Sequence, residues 1–166
     1  MYAVWLLPKE EDSKYLSNIL DKLSKKYEAP QFQPHVTVYG VVDTTLPIVE
    51  KVVKDIIVGL KEFKVKKNGL HYLDNIWKSL YIDLDYDADL AKINKLLSAK
   101  LSQYGNYDFE PHISLIYKKM DNDEKLKIIG ELDIQNEFIL NALAIIQYSD
   151  DVSTWKPLRI FTFPTA

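Results

Sequence analysis

The chain has 166 residues, 47% of them hydrophobic and 27% charged, which supplies the core of one self-sufficient domain and leaves no bias towards disorder. Its 21 basic and 24 acidic residues give a net charge of −3, so it lacks the broad basic footprint with which proteins grip long nucleic acids. There is no cysteine, which excludes disulfides, thiolate nucleophiles and cysteine-ligated zinc, and agrees with a reducing, cytoplasmic setting.

Residues 2–7 are a continuous apolar run and predict a buried strand; the start carries no basic leader or cleavage pattern, and no stretch is long enough to span a bilayer. Residues 10–27 place Tyr15, Leu16, Ile19, Leu20 and Leu23 at helical spacing. A strand over 34–42 follows, then Thr44 and Thr45 as capping hydroxyls ahead of a helix over 47–60, with Pro47 in its first turn. Residues 63–73 alternate and bend at Asn68-Gly69. Lys64 and Lys66 in this stretch read as a solvated face.

Displaced by 77 positions, the same order recurs: strand 79–85, helix 87–104, strand 111–117, helix 122–131 and strand 138–148, with a last strand over 158–163. The repeat is one of architecture, strand-helix-strand-helix-strand twice, with little identity outside two short motifs. No linker rich in glycine, proline or serine divides the halves, so residues 1–166 read as one bilobal α+β domain with lobes of about 1–75 and 76–166. Each lobe gives one strand to a common cleft.

The two motifs are Pro34-His35-Val36-Thr37 and Pro111-His112-Ile113-Ser114. Shared proline and hydroxyl at both histidines arise by chance on the order of once in 10,000, given average composition. Side chains at i and i+2 of a strand share a face, so each motif presents an imidazole beside a hydroxyl. A lone histidine on a strand is more often structural; the paired pattern reverses that reading for His35 and His112, but not for His71, which has Leu73 two residues on.

An unperturbed imidazole titrates near pH 6.5, and two close imidazoles resist holding two protons, so one can serve as base while the other serves as acid. That division suits attack of water on a cyclic phosphodiester. One histidine takes a proton from water, the other protonates the departing oxygen, and the hydroxyls of Thr37 and Ser114 donate to the nonbridging oxygens. The sequence leaves open which histidine is which; His112 as base and His35 as acid is the working assignment. Neither a metal nor another cofactor is called for. A centre made of His35, His71 and His112 is disfavoured because no His-x-His or His-x₃-His pair occurs. Asp83 and Asp85 share a strand face and are assigned no role.

Paired His-x-Thr/Ser motifs in a duplicated α/β chain resemble the 2H phosphoesterase superfamily. The wider strings Phe32-Gln33-Pro34-His35-Val36-Thr37 and Phe109-Glu110-Pro111-His112-Ile113-Ser114-Leu115-Ile116-Tyr117, with a C-terminal tryptophan, are most similar to its cyclic phosphodiesterase branch. The resemblance implies antiparallel sheets around a central cleft and His35, Thr37, His112 and Ser114 as the catalytic quartet. It also implies opening of nucleoside 2′,3′-cyclic phosphates or ADP-ribose 1″,2″-cyclic phosphate without metal, and the chain is expected to act as a monomer. Short RNA or a cyclic oligonucleotide is the alternative substrate within the superfamily, and a non-catalytic nucleotide-binding module is the alternative outside it.

The family reading further implies that Tyr117 lines the site. Strict alternation puts Tyr117 on the face opposite His112, so a bulge or strand end must intervene. Trp155, in the polar stretch 149–156, is the candidate for base stacking, and Tyr39 is a further candidate substrate contact. Trp5, Trp77 and Phe32 read as core.

Overall fold

The computed structural model describes residues 1–164. The apolar run at the start forms β1 (Tyr2–Pro8), buried because strands flank it on both sides. Helix α1 (Glu10–Lys26) follows, with Glu10, Glu11 and Asp12 in its first turn and Lys25 and Lys26 in its last, each charge complementing the helix dipole. Its stripe of Leu16, Leu20 and Leu23 is buried. Next come β2 (Val36–Val42), α2 (Leu46–Ile57) with Pro47 in its first turn, and β3 (Phe63–His71).

The second half repeats this order with β4 (Leu80–Leu84), α3 (Ala88–Leu101), β5 (His112–Ile116), α4 (Asn122–Glu131) and β6 (Glu137–Gln147), and ends in β7 (Pro157–Thr162). Helix α3 starts where the Asp87 carboxylate accepts the Leu90 amide at 2.9 Å and so caps the first turn. Its last turn tightens into a 3₁₀ segment, Ser102–Tyr104, so the α-helix is shorter than the apolar periodicity suggests. Among the described residues no helix is long and apolar enough to cross a membrane.

All strand pairings are antiparallel, in the order β2-β1-β6-β3-β4-β5, with β7 alongside β6. The order reads the same under exchange of the halves: β1 and β2 answer to β4 and β5, and β6 to β3. Each half therefore places its third strand beside the first strand of the other. The helices follow suit, since α1 packs on β5 as well as β1, and α3 on β2.

The expected bend in β3 is present. Phe63–Lys66 pair with β6, Lys67–His71 pair with β4, and between them Gly69 has φ +102°, a conformation suited to glycine. That bend hands the sheet from one lobe to the other and leaves both histidine strands, β2 and β5, at its outer edges. Strands β2 and β5 nonetheless approach one another, which closes the cleft between the lobes.

Candidate active site

The two prolines of the repeat explain how the histidines are seated. Proline fixes its own φ and pushes the residue before it into extended conformation, which aims the preceding carbonyl at the imidazole that follows. The His35 Nδ1–H donates to the Gln33 carbonyl at 2.7 Å, and the His112 Nδ1–H donates to the Glu110 carbonyl at 2.7 Å. This hydrogen bond assigns the tautomer in both rings and leaves Nε2 as the free nitrogen. His35 is 4% exposed, yet no buried side-chain nitrogen or oxygen among the described residues lacks a partner. Its Nε2, which has no hydrogen bond to protein, therefore keeps an edge open to solvent.

Two β-bulges decide which neighbours join them. Thr37 lies opposite Trp5 in the β1–β2 ladder and Tyr39 opposite Val4, so Val38 is an extra residue that reverses the alternation. In the β4–β5 ladder Ser114 lies opposite Tyr81 and Ile116 opposite Leu80, so Leu115 is the extra residue. Val38 and Leu115 are themselves 77 positions apart. The second bulge turns Tyr117 to the Ser114 face, which resolves the conflict between strict alternation and its expected place. The first turns Tyr39 away: Tyr39 is buried and donates its hydroxyl to the Gly105 carbonyl at 2.8 Å. Tyr39, expected as a substrate contact, thus lies outside the residues that line the cavity. Gly40 stands where the repeat has Tyr117.

A cavity of about 380 Å³ lies between the two histidine strands, lined among others by Thr37, His112, Tyr117, Trp155, Trp77 and Lys78. His35 and Ser114 sit one layer behind this wall. The His35 ring is stacked on the Trp5 indole, which does line the cavity, and meets Phe32 and Trp155 edge-on at centroid distances of 6.2 and 6.4 Å. The Ser114 hydroxyl donates to the Trp77 carbonyl at 3.2 Å, and Trp77 lines the cavity. Both members of the quartet behind the wall thus touch residues that form it.

Burial dominates the electrostatics. It pulls His35 down from the usual 6.5 to about 4, with the Gln33 carbonyl opposing and the charge of His112 reinforcing the shift. His112 is lowered too, first by burial and then by the Lys78 ammonium, while the Glu110 carbonyl and the carboxylates of Glu110 and Asp83 oppose this. The Tyr117 hydroxyl is pushed up by burial and stays protonated, able to donate. Among the described residues no three histidine or carboxylate side chains gather where they could share a metal ion.

Trp77 and Lys78 escaped the sequence reading, which gave Trp77 to the core. Trp77 is 37% exposed and stacks on Trp155 with centroids 5.6 Å apart and planes 16° from parallel. The missed signal is Asp74-Asn75, a turn pair that places Trp77 in a loop: the Asn75 carboxamide oxygen accepts the amides of Trp77 and Lys78 at 2.9 and 2.8 Å. His71 is exposed at the end of β3, its Nε2 3.2 Å from the Asn68 carbonyl, and takes no part in the cavity wall.

The family model described as the 2′-5′ RNA ligase superfamily matches residues 8–152. The chain belongs to this superfamily. The resemblance to 2H phosphoesterases carried by the two motifs therefore holds at the level of family. Another relative is a cyclic phosphodiesterase of Arabidopsis thaliana, 22% identical over 170 residues, covering 96% of this chain and 93% of that protein. Two solved structures share the fold. TT0787 of Thermus thermophilus has a TM-score of 0.69 at 13% identity, covering 99% of this chain and 98% of that one. Escherichia coli LigT complexed with 3′-AMP has a TM-score of 0.62 at 11% identity, covering 98% and 97%.

Proposed function

We propose that the protein hydrolyses a cyclic phosphodiester, a nucleoside 2′,3′-cyclic phosphate or ADP-ribose 1″,2″-cyclic phosphate, by two-histidine acid-base catalysis without a metal. The observation that carries this reading is the paired seating of the imidazoles: each Nδ1 is held by a backbone carbonyl at 2.7 Å, so each presents Nε2 as its working atom. The cyclic phosphodiesterase relative and the nucleotide bound by LigT support the substrate class.

His112, at the cavity wall where water reaches it, takes a proton from water as the water oxygen attacks phosphorus. The carboxylates of Glu110 and Asp83 favour the imidazolium so formed. In the productive form of the pair the single proton sits on His35 Nε2, a minor form above about pH 4 because burial lowers His35. His35 gives that proton to the ribose oxygen as the P–O bond on the opposite side breaks. The product is a phosphomonoester with one free hydroxyl, and the proton balance is restored by exchange with solvent. Each transfer contributes about 10²–10⁴ in rate. Thr37 and Ser114 donate to the nonbridging oxygens, Ser114 after turning from the Trp77 carbonyl.

The test is turnover of 2′,3′-cyclic nucleotides in excess chelator, with His35→Gln and His112→Gln alongside and short RNA and cyclic oligonucleotides as competing substrates. Chelator should leave the rate unchanged, and each substitution should lower kcat by at least about 100-fold. Loss of activity on chelation, or full activity in both variants, refutes the mechanism; preferred cleavage of the oligonucleotides replaces the substrate assignment.

A further inference from the structure

The connection between β3 and β4 is a built loop. The Leu73 amide donates to the Lys78 carbonyl at 3.0 Å, and Asn75 holds the amides of Trp77 and Lys78 from within. From α4 the ammonium of Lys125, 1% exposed, donates to the Leu73 carbonyl at 2.9 Å. A buried lysine spent on a carbonyl with no carboxylate hydrogen-bonded to it is costly to place, and it pins the start of this loop. The Ser114 bond to the Trp77 carbonyl pins its end. The loop presents two adjacent side chains to the cavity, Trp77 and Lys78.

Charge around that cavity is sparse. Lys78 is the only lysine or arginine in its wall among the described residues, and its ammonium lies 2.8 Å from a Glu110 carboxylate oxygen and 4.5 Å from the Tyr81 ring centroid. Glu110 therefore cancels Lys78, and Asp108, also in the wall, adds a negative charge that no salt bridge compensates. A cyclic phosphodiester carries one negative charge, which one proton on the histidine pair balances. A further phosphate finds no cation left and meets the uncompensated Asp108.

We propose that the Leu73–Lys78 loop makes this a site for nucleosides bearing a single phosphate, with the base on the Trp77–Trp155 stack and the acidic wall rejecting substrates that carry additional phosphates. This rests on the catalytic reading above and chooses between its two substrates. The ADP-ribose cyclic phosphate, with its diphosphate, and oligonucleotides are the poorer ligands. Among the described residues no lysine or arginine lies over the aromatic row that runs from Tyr107 through Phe109 to Tyr86, as it would in a groove tracking a nucleic-acid backbone.

The experiment compares 2′,3′-cyclic AMP with its 5′-phosphorylated counterpart at low and high ionic strength, in chelator. The added phosphate should lower kcat/KM on the order of tenfold at low salt, and the deficit should shrink as salt screens it. Asp108→Asn should narrow the same ratio, and Trp77→Ala should raise KM for both substrates by roughly tenfold with a smaller change in kcat. Titration calorimetry with 3′-AMP and adenosine 3′,5′-bisphosphate reads the same discrimination without turnover. Equal or tighter binding of the bisphosphate, or equal kcat/KM for the two cyclic substrates, overturns the inference. Discrimination in binding with no turnover of either cyclic substrate sinks the catalytic reading alone.

Discussion

The imidazole of His35 lies flat against the indole of Trp5, with ring centroids 3.6 Å apart and planes 11° from parallel. Together with the Nδ1 bond to Gln33, the stack fixes both torsions of the histidine, so Nε2 has one direction available. His112 has a looser counterpart, the edge of Tyr81 at 5.5 Å, on a residue that faces Ser114 as Trp5 faces Thr37.

Trp5→Phe keeps an aromatic ring in a fully buried position while shrinking the surface on which His35 rests. We expect the variant to fold with a stability loss of about 1–3 kcal/mol. A misplaced ring costs up to about 100-fold, so kcat should fall tenfold or more with little change in KM. Steady-state kinetics and a thermal melt read both; unchanged kcat in the folded variant refutes a positioning role for Trp5.

Stability should depend on pH through His35. Its folded value is about 4 against the usual 6.5 when unfolded, so between these values the unfolded chain binds more protons and stability rises with pH. The contribution is complete above about pH 6.5 and is lost as pH falls towards 4, on the order of 3 kcal/mol in all. Denaturant midpoints across this window should show the slope in the wild type and a reduced slope in His35→Gln. Parallel slopes in the two proteins would falsify the assignment.

The histidine pair also sets the rate profile. With His35 near 4 and His112 below its usual value, the singly protonated pair predominates on the acid side of pH 6.5. The profile of kcat/KM should be bell-shaped with its maximum there and should fall towards alkaline pH. A plateau continuing beyond about pH 8 contradicts two working imidazoles.

Two glycines should respond oppositely to alanine. A Cβ on Gly40 meets the Ala3 Cβ at 2.7 Å across the β1–β2 ladder, so Gly40→Ala should lower stability by about 1–3 kcal/mol. A Cβ on Gly130 in α4 has nothing within 4 Å, so Gly130→Ala should raise stability by roughly 0.5–1 kcal/mol. Thermal midpoints of the two variants moving in the same direction would contradict this account.

Much of this architecture was legible because its signals are local. Apolar periodicity marked each helix and strand, Asn68-Gly69 marked the bend in β3, and the twin motifs drew attention to His35, Thr37, His112 and Ser114. The bulges at Val38 and Leu115 were silent because an extra aliphatic among aliphatics changes no pattern, and that silence hid the direction in which Tyr39 faces. Trp77 was hidden because a tryptophan beside an apolar neighbour, Ile76, and just ahead of a strand has the composition of core. The pairing of β6 with β1 and β3 joins residues more than sixty positions apart, which no local pattern encodes.

The exchange of third strands forbids an autonomous half-protein. A chain cut within the loop that joins β3 to β4 leaves the first fragment with the β1–β2 ribbon and a β3 whose neighbours both belong to the other piece, and the second with two separate ribbons, β4–β5 and β6–β7, whose bridging strands β1 and β3 are gone. Neither fragment can complete a hydrophobic layer by itself, whereas the two combined can restore every ladder. Co-expressed as separate polypeptides they should reconstitute one catalyst by mutual templating, and alone each should fall to proteolysis.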